Sequence, residues 1–106
     1  MEIVLDINGK ETTFKTGKIT VRLYRKTVDL HSAWVAGEFM PKGYTSKDID
    51  QAIEYICEVF GNQFTLDDFL DGYEMNDSLD FMVLINSCMD NVLFNGGKVE
   101  KSEKKA

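Results

Sequence analysis

The sequence predicts an α+β fold that is mostly helical: an N-terminal β-hairpin, about four helices and a disordered C-terminal tail. Three observations carry this expectation. Alternating apolar residues lead into an Asn-Gly pair at positions 8 and 9; apolar residues then recur at three- and four-residue spacing; and the last ten residues are polar and rich in Lys. Residues 1–96 read as a single domain and residues 97–106 as its Lys-rich tail. The 106 residues are 43% hydrophobic, enough for one core.

In the hairpin, Ile3, Leu5 and Ile7 alternate with Val4 and Asp6, and Asn8-Gly9 supplies the two positive φ angles of a type I′ turn. That turn pairs Ile7 with Lys10, Leu5 with Thr12 and Ile3 with Phe14. Ile3, Leu5, Ile7 and Phe14 then share one face, and downstream helices must cover it, because an isolated hairpin is barely stable.

After Thr16-Gly17 the period changes. Val21, Tyr24, Val28, His31 and Val35 form an apolar stripe, with Leu23, Leu30 and Trp34 alongside, so a helix is expected from about Thr20 to Ala36, ended by Gly37. Arg22, Arg25, Lys26 and Asp29 mark its more polar side. A loop follows through Met40-Pro41-Lys42-Gly43-Tyr44. Thr45 or Ser46 caps a second helix with Asp48 in its first turn, an apolar stripe of Ile49, Ala52, Ile53, Ile56, Cys57 and Phe60, and Gly61 as a left-handed stop. A short third helix runs from Thr65, its cap, to Gly72, its stop, with Phe64 placed to pack on Phe69 as a hydrophobic staple. The fourth starts near Asn76 or Asp77 and ends at Asn95-Gly96-Gly97. Its expected buried side is Leu79, Met82, Val83, Ile85, Cys88, Met89, Val92 and Leu93.

Charge is unevenly placed. The chain carries −6 overall with a pI near 4.7. Residues 10–47 hold eight basic groups against three acidic, whereas residues 48–96 hold eleven acidic groups and no Lys or Arg. Such a split invites pairing of the two halves within a chain or between copies, or two ordinary solvated faces. No apolar run approaches the ~18 residues that suggest a membrane helix, and the opening Met-Glu-Ile-Val-Leu-Asp has no signal-peptide features. Cys57 and Cys88 fall in separate helical runs and read as buried thiols of a reducing cytosol.

Sites of chemistry are sparse. The single His31 lies in an apolar stripe without a nucleophile motif, so no catalysis is expected. Asp67, Asp71 and Gly72 imitate three positions of a calcium loop, but Phe69 and Ser78 stand where ligands are needed. No zinc spacing is present, and no metal or cofactor is expected. Lys15, Lys18, Arg22, Arg25 and Lys26 cluster around Tyr24, yet the acidic half disfavours phosphate, so nucleic-acid binding is a weaker alternative. What remains is interaction. Trp34, Phe39, Met40, Tyr44, Tyr73, Met75 and Phe94 lie near helix ends or in loops, beyond what the stripes require. They are candidate partner-binding residues, either completing the core or forming an exposed apolar strip.

The run Glu58-Val59-Phe60-Gly61-Asn62-Gln63-Phe64-Thr65-Leu66-Asp67-Asp68-Phe69-Leu70-Asp71-Gly72 resembles the central signature of the tail assembly chaperones of long-tailed bacteriophages and prophages of Gram-positive hosts. Asn8-Gly9-Lys10, Thr13-Phe14-Lys15, and Arg25 with Asp29-Leu30 agree with it, and the resemblance covers nearly all of residues 1–95. It implies a non-enzymatic protein of the host bacterial cytoplasm, absent from the mature virion. Its implied partners are the tape measure protein and, through a frameshifted longer form, the tail tube protein; self-association of copies is an expectation from the charge split alone. The resemblance brings no catalytic residues. A structural head–tail component is a further alternative.

Overall fold

The computed structural model describes residues 1–94. Strands β1 (Glu2–Ile7) and β2 (Lys10–Lys15) form a two-stranded antiparallel sheet, followed by helices α1 (Val21–Val35), α2 (Ser46–Val59), α3 (Leu66–Gly72) and α4 (Ser78–Phe94). The α+β class, with hairpin first and four helices after it, is as predicted. The expected end of the last helix at Asn95-Gly96-Gly97 and the tail over 97–106 lie outside the described residues.

The hairpin has the predicted register: Ile7 opposite Lys10, Leu5 opposite Thr12, Ile3 opposite Phe14. Asn8 and Gly9 take φ of 56° and 82°, as a type I′ turn demands. Ile3 and Leu5 are buried, with Ile7 and Phe14 packed at the edge of the core. The cover is α3, which lies against β1, while α2 packs on α3 and α4, and α1 packs on α4.

Helix starts are fixed by side-chain caps. The Thr20 hydroxyl accepts from Leu23 N at 3.1 Å. Thr45 and Thr65 each head a capping box. The Asp48 carboxylate accepts from Thr45 N at 2.8 Å, and that of Asp68 from Thr65 N at 3.0 Å. Asp77 serves α4, its Oδ1 accepting from Leu79 N at 2.9 Å. Each substitution of a cap by Ala is worth about 1 kcal/mol.

The core is largely the inner side of α2 and α4 with the aromatic side chains between them. Tyr55, Ile53, Ile56, Val59, Phe60, Ile85, Cys88 and Met89 are essentially sealed from water. One polar pair is enclosed among them. The Thr27 hydroxyl donates to Leu23 O at 2.8 Å, which leaves its oxygen to accept from the Tyr55 hydroxyl at 2.8 Å. Every polar atom of this pair is thus satisfied, and burial pushes the Tyr55 phenol far above its ordinary range.

Two helix faces depart from expectation. On α1 the buried side is Leu23 and Thr27, with Leu30, Ala33 and Trp34 partly buried; Val21, Tyr24, Val28 and Val35 face outward. On α4, Leu79 and Val83 are exposed, 67% and 61%, rather than buried. In both helices apolar residues occupy more than one side, and the chain has only enough neighbours to cover one.

Gly72 also plays a different part from the helix stop expected of it. It is the last residue of α3, and a Cβ there would stand 2.5 Å from Asp6 O and 3.0 Å from Asp6 N. The absence of a side chain is what lets α3 seat against β1. Gly72→Ala should therefore destabilise the fold by about 1–3 kcal/mol, read as a lower urea midpoint with an unchanged slope. An unchanged midpoint would show that strand and helix can separate at no cost.

Candidate partner-binding surfaces

Three of the seven residues singled out in the sequence converge. Tyr44, Tyr73 and Met75 line an open recess of about 170 Å³ with Ile49, Ile53, Phe69, Leu70, Ser78 and Phe81. The loop before α2 supplies Tyr44, the end of α3 supplies Leu70 and Tyr73, and the α3–α4 connection supplies Met75. Tyr73 stacks on Phe69, ring centroids 4.8 Å apart at 14°, so the wall of the recess is an extension of the core. Burial, then the nearby Asp80 carboxylate, raises the Tyr73 phenol pKa, keeping it neutral. Leu70 and Met75 are about half exposed, 49% and 47%. Asp71, Glu74 and Asp77 are exposed on the segments that supply Leu70, Tyr73, Met75 and Ser78.

The other four are scattered. Phe39 and Met40 belong to the core, 9% and 7% exposed, because the loop after α1 folds inward: Glu38 N and Phe39 N both donate to Ala33 O. Trp34 is half-buried against Phe39, their centroids 6.0 Å apart. Phe94, at the last described position, is 55% exposed.

A second surface belongs to α1. Its outward apolar residues Val21, Tyr24, Val28 and Val35 are 82%, 47%, 42% and 73% exposed. Beside them lies a broad open depression of about 700 Å³ lined by Lys18, Arg22, Arg25, Lys26, Asp29, Glu58 and Asn62, among others. Lys26 Nζ meets Glu58 Oε2 at 2.9 Å, the only ion pair among the described residues. The basic cluster around Tyr24 was visible in the sequence; that Val21, Val28 and Val35 stay in water was not. The usable signal was the second apolar row, Leu23, Leu30 and Trp34, which takes the core-facing side of the same helix.

Neither cysteine contributes to these surfaces. Both are unpaired and buried, as expected. Burial, then Glu54, Asp68 and Glu58, pushes the Cys57 thiol up to about 11, and burial pushes Cys88 up to about 12. The described residues contain no group of three or more His, Cys, Asp or Glu placed to hold a metal, and no helix long and apolar enough to cross a membrane.

What these features describe is a small scaffold with two apolar surfaces of different electrostatic character. A family model described as phage tail chaperone protein matches residues 1–106. The chain belongs to the phage tail chaperone family. Searches of curated proteins and of solved structures return no match. The family identity agrees with the resemblance carried by the Glu58–Gly72 run and places the protein in phage tail assembly.

The thiols of this tail chaperone provide a test of the core around them. In the unfolded chain they titrate near 9.0, so the stability gained by keeping them protonated is complete below pH 9 and is lost as pH rises through about 11 and 12. At pH 8 the native protein should react slowly with a thiol reagent and the urea-unfolded protein rapidly at both cysteines. Rapid native reaction would show that α2 or α4 opens readily.

Proposed function

We propose that this phage tail chaperone works without catalysis. In this reading it binds the tape measure protein during tail assembly in the host cytoplasm, keeps it soluble and helps recruit tail tube subunits. The observation that supports this reading most is apolar surface left outside a well-filled core. Among the described residues the core leaves no buried side-chain polar atom without a hydrogen bond, yet Leu70, Met75, Leu79 and Val83 are exposed outside it.

A long client with apolar helical faces aggregates unless those faces are covered. A recess floored by Ile53, Phe69 and Phe81 and opened by Tyr44, Tyr73 and Met75 suits one apolar anchor of such a client. Methionine adapts to varied anchors. Many weak contacts along one client act together through high effective concentration, and weak contacts also allow release when tube subunits arrive.

Co-expression with a tape measure fragment that is insoluble alone provides the test. The fragment is expected to become soluble and to co-purify with this protein. Met75→Asp, at an exposed position, should weaken the complex by about tenfold while leaving the thermal midpoint unchanged. A fragment that stays insoluble, together with this protein persisting in finished virions, would replace the proposal by a structural role.

A further inference from the structure

Helix α1 carries apolar residues on two separate sides, and the described residues cover only one. Leu23, Thr27, Leu30 and Trp34 turn inward. Val21, Tyr24, Val28 and Val35 stand outward at the a/d spacing of a coiled-coil seam, with the half-buried His31 at the remaining d position between Val28 and Val35. Burying such side chains against a partner is favourable, so an open seam of this length is a surface suited to association.

The seam has a charged edge. Arg22 and Arg25 follow it on one side and lead into the depression that also holds Lys18 and Lys26. Among the described residues only Lys26 has a carboxylate within ion-pair distance. Asp29 is the single acidic residue of α1.

We propose that the outer face of α1 is a docking seam for one amphipathic α-helix of a partner polypeptide, with apolar residues on the seam and acidic residues along the Arg22–Arg25 edge. Charge complementarity selects an acidic occupant, and the heptad spacing selects a helical one. A second copy fits less well. The outward strip of its α4 begins with Leu79 and Val83 but is interrupted by Asn86 and Asp90 on the same side, so it matches only part of the seam. Nucleic acid offers phosphates to the arginines but nothing of matching shape to Val21, Val28 and Val35. The inference rests on the reading that the protein binds a helical client, and it names a second surface for that client beside the Tyr73–Met75 recess.

The test uses the full chain and a labelled synthetic helix of about three heptads, Leu at a and d and Glu at e and g, with a twin carrying Lys in place of Glu. Fluorescence anisotropy should show the acidic helix binding at least about tenfold tighter than its twin, an advantage reduced by salt. Val28→Asp should abolish binding, and Arg22→Glu with Arg25→Glu should reverse the preference. Val4→Asp, on the outer face of the hairpin, should leave it unchanged. All of these positions are exposed, and unchanged circular dichroism and thermal midpoints would confirm that the variants fold. The proposal falls if neither helix binds, if the twin binds equally well, or if a single-stranded oligonucleotide binds in a Val28-independent manner while the helices do not. It also falls if the protein alone self-associates and Val28→Asp makes it monomeric, which would give the seam to a second copy. A tape measure fragment solubilised equally by wild type and Val28→Asp would sink the seam and leave the client-binding function standing. A peptide that binds while no fragment is solubilised would do the reverse.

Discussion

Phe64 is the joint of this molecule. Its ring lies 5.0 Å from that of Phe14, 5.6 Å from Phe60 and 6.4 Å from Phe69, and so joins the hairpin, the end of α2 and the start of α3. Phe69 continues the chain of rings to Tyr73 at 4.8 Å and Phe81 at 6.2 Å. Tilted and offset aromatic pairs add about 0.5–1.5 kcal/mol each beyond the area they bury. Without Phe64 the hairpin would lose its aromatic link to the helices, leaving the seat of α3 on β1 to hold it. The recess at Tyr73 would also lose its rigid back wall, because Phe69 belongs to both.

Backbone contacts confine the same joint. Gly17 N donates to Val59 O at 3.0 Å, and a Cβ on Gly17 would stand 2.9 Å from the backbone of Gly61. Gln63 Nε2 donates to Lys15 O at 2.6 Å and Phe60 O at 2.7 Å. The chain therefore passes from β2 into α1 directly across the end of α2. At this crossing the Phe-Gly-Asn-Gln-Phe stretch supplies a ring cluster, a close backbone approach and a bridging amide, all of which hold the scaffold.

Much of this was legible in the sequence because local chemistry decided it. Asn8-Gly9 fixed the hairpin register, Thr45 and Thr65 fixed two helix starts, and Phe64 before its cap foretold the contact with Phe69. Residues whose roles depend on what lies opposite were less legible. Val21, Val28, Leu79 and Val83 fit a helical stripe as well as the buried residues do, and periodicity cannot say which of two apolar sides meets a neighbour. Thr27, the least apolar member of the inward side of α1, is buried because Tyr55 supplies a hydroxyl partner from α2, a pairing no spacing rule contains. Gly72 is explained by a strand sixty-odd residues earlier. For the partner-binding candidates, nearness to helix ends brought Tyr44, Tyr73 and Met75 to one recess, but it also gathered Phe39 and Met40, which an inward-turning loop delivers to the core.

The tail chaperone thus combines a closed interior with an unfinished exterior. Its recess is apolar and its α1 seam is edged by arginines, so the proposed client would have two distinct places to bind, a division that favours register as much as affinity. Side-chain oxidation footprinting of the protein alone and in complex with a tape measure fragment tests this most directly. The account predicts that Met75 and Tyr24 lose most of their reactivity in the complex while Met1, 38% exposed on the hairpin, keeps its own. Met75 and Tyr24 oxidised as fast in the complex as in the free protein would contradict it.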